Sequence, residues 1–354
     1  MKTYSFLIGG AVMLSLPAMS QAVELAGEKL ELYGKVHLST DYSDPDVADE
    51  DSQTSVSNNS SRIGFKGRHQ INEQTALLWQ YEQGVEIDDG GGEFATRNSF
   101  LGLKGSLGEL RAGHHDTPSK ALGSRWGMFS DTVGDRRVIL GAYSGYGNSL
   151  NDRADNAILY INTIDAFELQ AMYSASNQAD GVSGGLDDND SELGSMSVAF
   201  SSDQVMIGAA VERWALDPEN AAEAVDNIRL AASFSLNALT LGAIYEMTDS
   251  DDDVFNRDAF GVNAAYQITN ATDLRAQYLV ADDYENVEDS GASQLAVGVF
   301  SQLDKATQIY AAFTTTDNED NATYQGIDGG HGDELTTGPG GSPLSVSLGA
   351  VYKF

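Results

Sequence analysis

The sequence predicts an all-β protein: a sixteen-stranded antiparallel β-barrel that spans a membrane. In the last segment, 344–354, Leu344, Val346 and Leu348 fall on one parity, whereas Ser345 and Ser347 fall on the other. A strand here has one apolar face and one small polar face, because successive side chains of a strand point to opposite sides. Short and long connections also alternate along the chain, and the chain ends on an aromatic residue. In a barrel of this kind the apolar face contacts lipid and the polar face lines water.

The first 22 residues are typical of a secretory signal peptide. Lys2 precedes an apolar run at 6–16, and Ser20 and Ala22 supply small residues at the cleavage positions. The run is too short to cross a bilayer. We therefore predict a signal peptide at 1–22, a single barrel domain over 23–354, and export from the cytoplasm.

The composition narrows the class of partner. The chain has 53 acidic and 20 basic residues, a net charge of −33 and no cysteine. Such acidity argues against nucleic acid as a partner. An exported chain without disulfides depends on its hydrogen bonds and packing. In a closed barrel the backbone hydrogen bonds of every strand are satisfied by a neighbouring strand on each side.

The connections predict the strand count. Eight long loops are expected near 41–59, 87–94, 115–152, 177–191, 215–225, 249–257, 283–290 and 317–341. Seven short turns are expected near Asn72-Glu73, Leu107-Gly108, Ile164-Asp165, Ser202-Asp203, Asn237-Ala238, Asn270-Ala271 and Asp304-Lys305. Together they join sixteen strands, with the first strand at 29–40 able to pair with the last. Short turns on one side and long loops on the other are typical of bacterial outer-membrane barrels.

The alternation of apolar and polar residues is lost in two segments, 97–104 and 157–161, where both parities carry apolar residues. A strand that is covered on its outside by a neighbouring subunit would show this pattern. A strand that is covered on its inside by a loop would show it as well.

Acidic runs at 187–190, 249–253 and 282–289 fall in long loops. They predict a solvated outer face, and the alternative is that their carboxylate oxygens bind calcium or magnesium. No segment has the ligand spacing of an EF-hand loop, so we predict neither a metal site nor a cofactor.

Several segments resemble the Gram-negative general diffusion porins. They are the opening strand at 32–35, the second strand at 61–67, the hairpin formed by 96–105 and 108–113, the start of the third loop at 116–123 and the closing strand at 349–354. The resemblance implies a trimeric barrel of the cell outer membrane whose third loop folds inward and narrows it. It implies passage of ions and small hydrophilic solutes and contact with outer-membrane lipid and lipopolysaccharide. It also implies that the barrel-assembly machinery reads the terminal Phe354, which closes the barrel beside the first strand.

The resemblance also implies a charged constriction. Position in the family pattern assigns the basic wall to Lys35, Arg62, Arg97 and Arg153, and the facing third-loop carboxylates to Asp131 and Asp135. The alternation of the second strand supports Arg62 as a lumenal residue, because the neighbouring apolar Ile63 faces the opposite side.

Other functions remain possible from the sequence alone. A substrate-selective channel, for example for sugars, would use lumenal aromatics such as Tyr33, Trp79 and Tyr81. A barrel hydrolase or a secreted β-sandwich that binds glycans or calcium are further alternatives. The histidine cluster at 114–116 lacks partners at the spacing of a metal or acid–base site, so we do not predict an enzyme.

Overall fold

The computed structural model describes residues 23–24, 29–48, 50–88, 97–142, 149–175, 192–215, 224–250, 253, 255–327 and 330–354. The predicted signal peptide at 1–22 and the acidic run at 187–190 lie outside the described residues.

Within these residues, eighteen strands form one antiparallel sheet. The strands are β1 (Val23–Glu24), β2 (Glu31–Asp44), β3 (Gln53–Asn58), β4 (Arg62–Gln70), β5 (Ala76–Gly84), β6 (Ser99–Gly105), β7 (Gly108–Asp116), β8 (Arg153–Ile164), β9 (Phe167–Ser174), β10 (Leu193–Ser201), β11 (Val205–Ala215), β12 (Ala224–Leu236), β13 (Leu239–Ser250), β14 (Arg257–Gln267), β15 (Thr272–Ala281), β16 (Ala292–Gln302), β17 (Thr307–Asn318) and β18 (Leu344–Lys353). Each long strand pairs with its neighbours in sequence, and β18 pairs with β2, so the sheet closes on itself.

The closed sheet is a barrel of sixteen strands. β1 has only two residues and pairs beside β2. β3 and β4 both pair with β2 and are two halves of one barrel strand, interrupted at 59–61. Ser60 has a φ of 53° in this break, so the chain bends there before it rejoins the ladder. The predicted sixteen-stranded antiparallel barrel is confirmed.

All seven predicted short turns lie between paired strands. In one of them Asn237 takes a φ of 54°, a conformation that asparagine tolerates better than most residues. The first strand extends further than the predicted 29–40, because β2 keeps its ladder with β3 up to the pair of Ser43 and Gln53. The first long connection is therefore 45–52 rather than 41–59.

The barrel is apolar outside and polar inside. In β10, Met196 and Val198 are exposed, whereas Ser195 and Ser197 between them are buried. The same alternation recurs in β11 to β18. This is the distribution expected of a barrel in lipid. In the described part of the chain, no helix has the length and apolar character needed to span a bilayer.

The two segments without alternation differ. In β8, Ala157 and Leu159 are buried in a cluster with Leu150, which precedes the strand, so a loop covers the inside there. In β6, Leu101 and Leu103 are exposed on the single chain. A subunit contact at β6 stays a prediction.

Candidate pore constriction

The described residues of the third long connection, 117–152, contain one α-helix, α1 (Pro118–Trp126). Thr117 caps it by accepting a hydrogen bond from the Lys120 amide, and Pro118 suits the first turn because no amide is needed there. The helix lies against β10, β11 and β12. Its Leu122 fits beside Gly208 of β11, where an added Cβ would be 2.5 Å from Leu122 Cδ1. A glycine in the wall therefore lets the helix pack closely.

Side chains of the wall hold the backbone that follows α1. Asn263 donates to the Trp126 carbonyl at 2.9 Å, and Arg275 donates to the Met128 carbonyl at 2.7 Å. Gln277 on β15 donates to the carbonyl of residue 134 at 3.0 Å. These bonds satisfy carbonyls that no regular secondary structure pairs. The loop thus follows the barrel wall from β10 to β15.

Basic side chains lie on the part of the barrel wall formed by β2 to β8, opposite the part that holds the third loop. Lys35 is 6% exposed, and its Nζ lies 2.7 Å from Asp131 Oδ2 in the third loop. Arg62 and Arg97 flank Glu82, with their Nε atoms 3.8 Å and 2.8 Å from its carboxylate oxygens. Arg62 is 28% exposed, which makes it the most accessible of the four predicted wall residues.

Arg153 belongs to a neighbouring group. Its Nε lies 3.2 Å from Asp116 Oδ1 and 3.1 Å from Asn98 Oδ1. Lys120 of α1 reaches the same Asp116 oxygen at 3.0 Å. Asp116 therefore joins the wall to the start of the third loop. Sequence reasoning missed Glu82 and Asp116 as counterions. Parity could have found Glu82, because it shares the inward face of β5 with Gly84, the residue opposite Arg62.

The two predicted loop carboxylates occupy different environments. Asp131 is 21% exposed and bonds to Lys35 and to Arg137, whose Nη2 lies 3.0 Å away. Asp135 is 1% exposed and accepts from Arg137 at 2.7 Å and from the Asp131 amide at 2.7 Å. Asp135 also caps the short helix Arg136–Val138. Its carboxylate stabilises the bend of the loop, while Asp131 meets the wall.

The neighbouring cations decide the charge of these carboxyls. Burial by itself would raise the pKa of Asp131, but Lys35 and Arg137 outweigh it and hold that pKa well below its usual value. Burial opposes ionisation of Asp135 too, and Arg137 again lowers the pKa. Both carboxyls are therefore ionised at neutral pH.

A second buried cluster fixes the helix to the far wall. Arg229 pairs with Glu246 at 2.5 Å and donates to the Ser119 carbonyl at 2.9 Å. Arg136 of the loop lies beside it, and burial lowers the pKa of Arg136 to about 9. Gly123 admits both guanidinium groups, since an added Cβ would be 3.0 Å from a nitrogen of each. The sequence carried no signal for this cluster, because it joins residues about a hundred positions apart.

The carboxyl terminus completes the ladder. The Phe354 amide donates to the Gly34 carbonyl at 3.1 Å, and the Gly34 amide donates to the Phe354 carbonyl at 2.9 Å. The Phe354 ring covers Gly34, where an added Cβ would be 2.5 Å from the ring. The last residue thus extends the β18–β2 seam.

The residues of the alternative functions are not brought together. Tyr33 donates to Glu82 on the inner face of the barrel, whereas Trp79 and Tyr81 fall on the opposite parity of β5. His114 bonds to Asp155 at 2.6 Å, and His115 lies 2.7 Å from Arg111. In the described residues, no three metal-ligating side chains converge.

These features define a closed transmembrane β-barrel with a loop fixed along its inner wall. The family model for Gram-negative porins matches residues 9–321, so the chain belongs to that family. This membership places the protein in the cell outer membrane.

Curated relatives match over shorter stretches. The major outer membrane protein P.IB of Neisseria gonorrhoeae is 29% identical over 119 residues, which cover 32% of this chain and 33% of that protein. The protein of the same name from Neisseria sicca is 37% identical over 67 residues, or 19% of each chain. The chain thus matches about a third or less of the length of these curated relatives.

Solved structures match the fold along almost the whole barrel. An anion-selective porin from Comamonas acidovorans superposes with a TM-score of 0.80 at 22% identity, covering 92% of this chain and 99% of that one. OmpT of Vibrio cholerae in its trimer form gives 0.68 at 20% identity, covering 92% and 99%. OmpF of Salmonella typhi gives 0.69 at 18% identity, covering 94% and 100%.

Proposed function

We propose that the protein is a general diffusion porin, a water-filled channel for passive movement of ions and small hydrophilic solutes across the outer membrane. The observation that carries this is the polar interior of a closed barrel, crossed by a loop that is anchored to the wall at both ends. Family and fold support a channel rather than an enzyme. We extend the proposal to a homotrimer, as in the trimeric OmpT structure, with outer-membrane lipid, lipopolysaccharide and the assembly machinery as partners.

We place the constriction between the third loop and the wall formed by β2 to β8. Charged side chains line it, and each contacts a partner across the gap or beside it. The basic members are Lys35, Arg62, Arg97, Lys120, Arg137 and Arg153, and the acidic members are Glu82, Asp116 and Asp131.

The basic groups outnumber the acidic ones, so the narrow region carries positive charge inside a chain of net charge −33. Rings of charged side chains set the ion preference of a pore. We therefore propose a preference for anions at the constriction. The structural relative from Comamonas acidovorans is described as anion-selective, which agrees with this assignment.

A sugar-selective channel is supported less well. An aromatic slide needs several aromatic side chains on the lumen, and only Tyr33 of the three candidates shares the inner face with Glu82.

Measurement of the reversal potential across a planar bilayer under a KCl gradient tests the proposal. The wild-type protein should form stepwise open channels that favour chloride over potassium. Purified, folded protein that forms no channel would refute the proposed function, and a cation preference would refute the assignment of charge.

A further inference from the structure

The last long connection, 319–343, turns back into the barrel. The Leu335 amide donates to the Ile327 carbonyl at 3.1 Å, which forms a short bridge at the base of the turn. Ile327 and Leu335 are buried in one apolar cluster with Phe129 and Val133 of the third loop. The segment 330–335 therefore lies beside the third loop.

Buried polar contacts fix this segment to the wall. Ser57 of β3 donates to Asp333 Oδ2 at 2.6 Å. His331 Nε2 lies 3.2 Å from Asp41 Oδ2 of β2, and both side chains are almost fully buried. A segment that rested on the barrel only by chance would not bury an imidazole and a carboxylate against each other, because the desolvation of such groups is costly.

The break in the second barrel strand holds both loops. The Asn59 carbonyl accepts from Lys35 at 2.9 Å, and Lys35 also binds the third loop through Asp131. The Asn59 side-chain oxygen accepts from the Gly332 amide at 3.1 Å. Ser60 then donates to the Gly330 carbonyl at 2.9 Å. One interrupted strand thus positions the last loop and the third loop against each other.

The two loops contact each other at Asp131, the more exposed of the two third-loop carboxylates. An added Cβ at Gly330 would overlap Asp131 Oδ1 and would be 2.5 Å from Arg137 Nη2. The Gly330 backbone therefore covers the pair formed by Asp131 and Arg137. Any side chain at position 330 must displace that pair.

From these contacts we propose that residues 330–333 of the last loop are a second wall of the constriction and a determinant of its ion selectivity. The segment acts by holding Asp131 against Lys35 and Arg137, where the negative charge is neutralised. This inference rests on the proposed channel function. Displacing Asp131 toward the water of the passage exposes its charge, whereas Lys35 stays in place through its hydrogen bond to the Asn59 carbonyl.

The test compares two glycine variants of the same loop. In G330A the new methyl group displaces the pair of Asp131 and Arg137, whereas in G338A it meets no atom within 4 Å. An unpaired charge about 6 Å from the ion path changes ion partition roughly twofold at 0.1 M salt, because water and salt both weaken the interaction. Because chloride and potassium respond in opposite directions, G330A should lower the chloride-to-potassium permeability ratio about fourfold, while G338A should match the wild type.

A second variant tests the same proposal if G330A fails to fold. D333A removes the contact between Ser57 and the last loop, while Ser57 keeps Asp41 as an acceptor. The change loosens the same segment without adding bulk, so the single-channel conductance of D333A should rise above that of G338A. Heat-modifiable mobility on gels establishes that each variant is folded. If D333A and every folded G330A preparation conduct and select like G338A, the last loop is no part of the constriction.

The outcome for the channel itself is separate. A selectivity change in variants of Arg62 and Arg97 with none in G330A or D333A would overturn only the inference about the last loop. A wild-type protein that forms no channel would overturn the proposed function instead.

Discussion

Replacing Arg62 and Arg97 with serine is the most direct perturbation of the constriction. The two guanidinium groups share Glu82, and Arg62 is the more exposed of them. At about 6 Å in water, a unit charge changes the energy of a passing ion by about 0.7 kcal/mol, and screening at 0.1 M salt reduces this to about 0.4 kcal/mol, or roughly twofold in partition. Two charges give about fourfold for each ion, and chloride and potassium respond in opposite directions. R62S/R97S should therefore lower the chloride-to-potassium permeability ratio by a factor of about 15 at 0.1 M salt.

The assay is the reversal potential of the purified, folded protein in planar bilayers under a KCl gradient. The Debye length falls to about 3 Å at 1 M salt, so the difference from wild type should nearly vanish there. R213S is a matched control, because Arg213 lies on the exposed parity of β11 and pairs with Asp226 outside the constriction. If the double variant is assembled and its permeability ratio equals that of R213S at 0.1 M, Arg62 and Arg97 do not line the passage.

Three further predictions concern the loop, the terminus and the assembly. D135N removes the charge of the buried carboxylate that pairs with Arg137 and caps the loop bend, while Arg137 keeps its contact with Asp131. It should therefore cost about 2 kcal/mol and lower the unfolding temperature in thermal scans, with the selectivity of the folded protein unchanged; a changed selectivity at equal stability would place Asp135 on the passage. Deletion of Phe354 removes both hydrogen bonds to Gly34 and should lower the yield of folded barrel in the outer membrane far more than the conductance of what does fold, and normal yields would contradict this. The exposed face of β6 around Leu101 should be covered in a trimer that withstands mild detergent and becomes monomeric on heating; a monomer by light scattering at micromolar concentration would show otherwise.

The barrel could be predicted from the sequence because each strand carries its own signal. The alternation in 344–354 and the short turns such as Asn237-Ala238 are local patterns, and the sixteen strands follow from counting them. The end of the first strand could not be read in this way. β2 continues to Asp44 because β3 pairs with it, and that pairing is a tertiary contact.

The candidate site was predictable in its residue types and only partly in its contacts. Lys35 and Arg62 stand on inward parities, which a sequence shows directly. The distinction between Asp131 and Asp135 does not follow from sequence, because both are aspartates in one loop and only the fold turns Asp135 into the bend. The approach of residue 330 to Asp131 joins positions about two hundred apart, and no local pattern reports it.

The acidity of the whole chain does not decide its selectivity. The net charge of −33 is spread over a large surface, and salt screens an exposed charge beyond about 10 Å at 0.1 M. An ion in the narrow passage should therefore respond mainly to the side chains that line it, and in the proposed constriction the arginines and lysines are in excess. Outer carboxylates can concentrate cations at the mouth only at low salt, where the Debye length is longest. The chloride-to-potassium permeability ratio should therefore rise as salt increases from about 0.01 M to 0.1 M, because the outer carboxylates are screened first. The ratio should then fall toward 1 M salt, where the charges of the passage itself are screened.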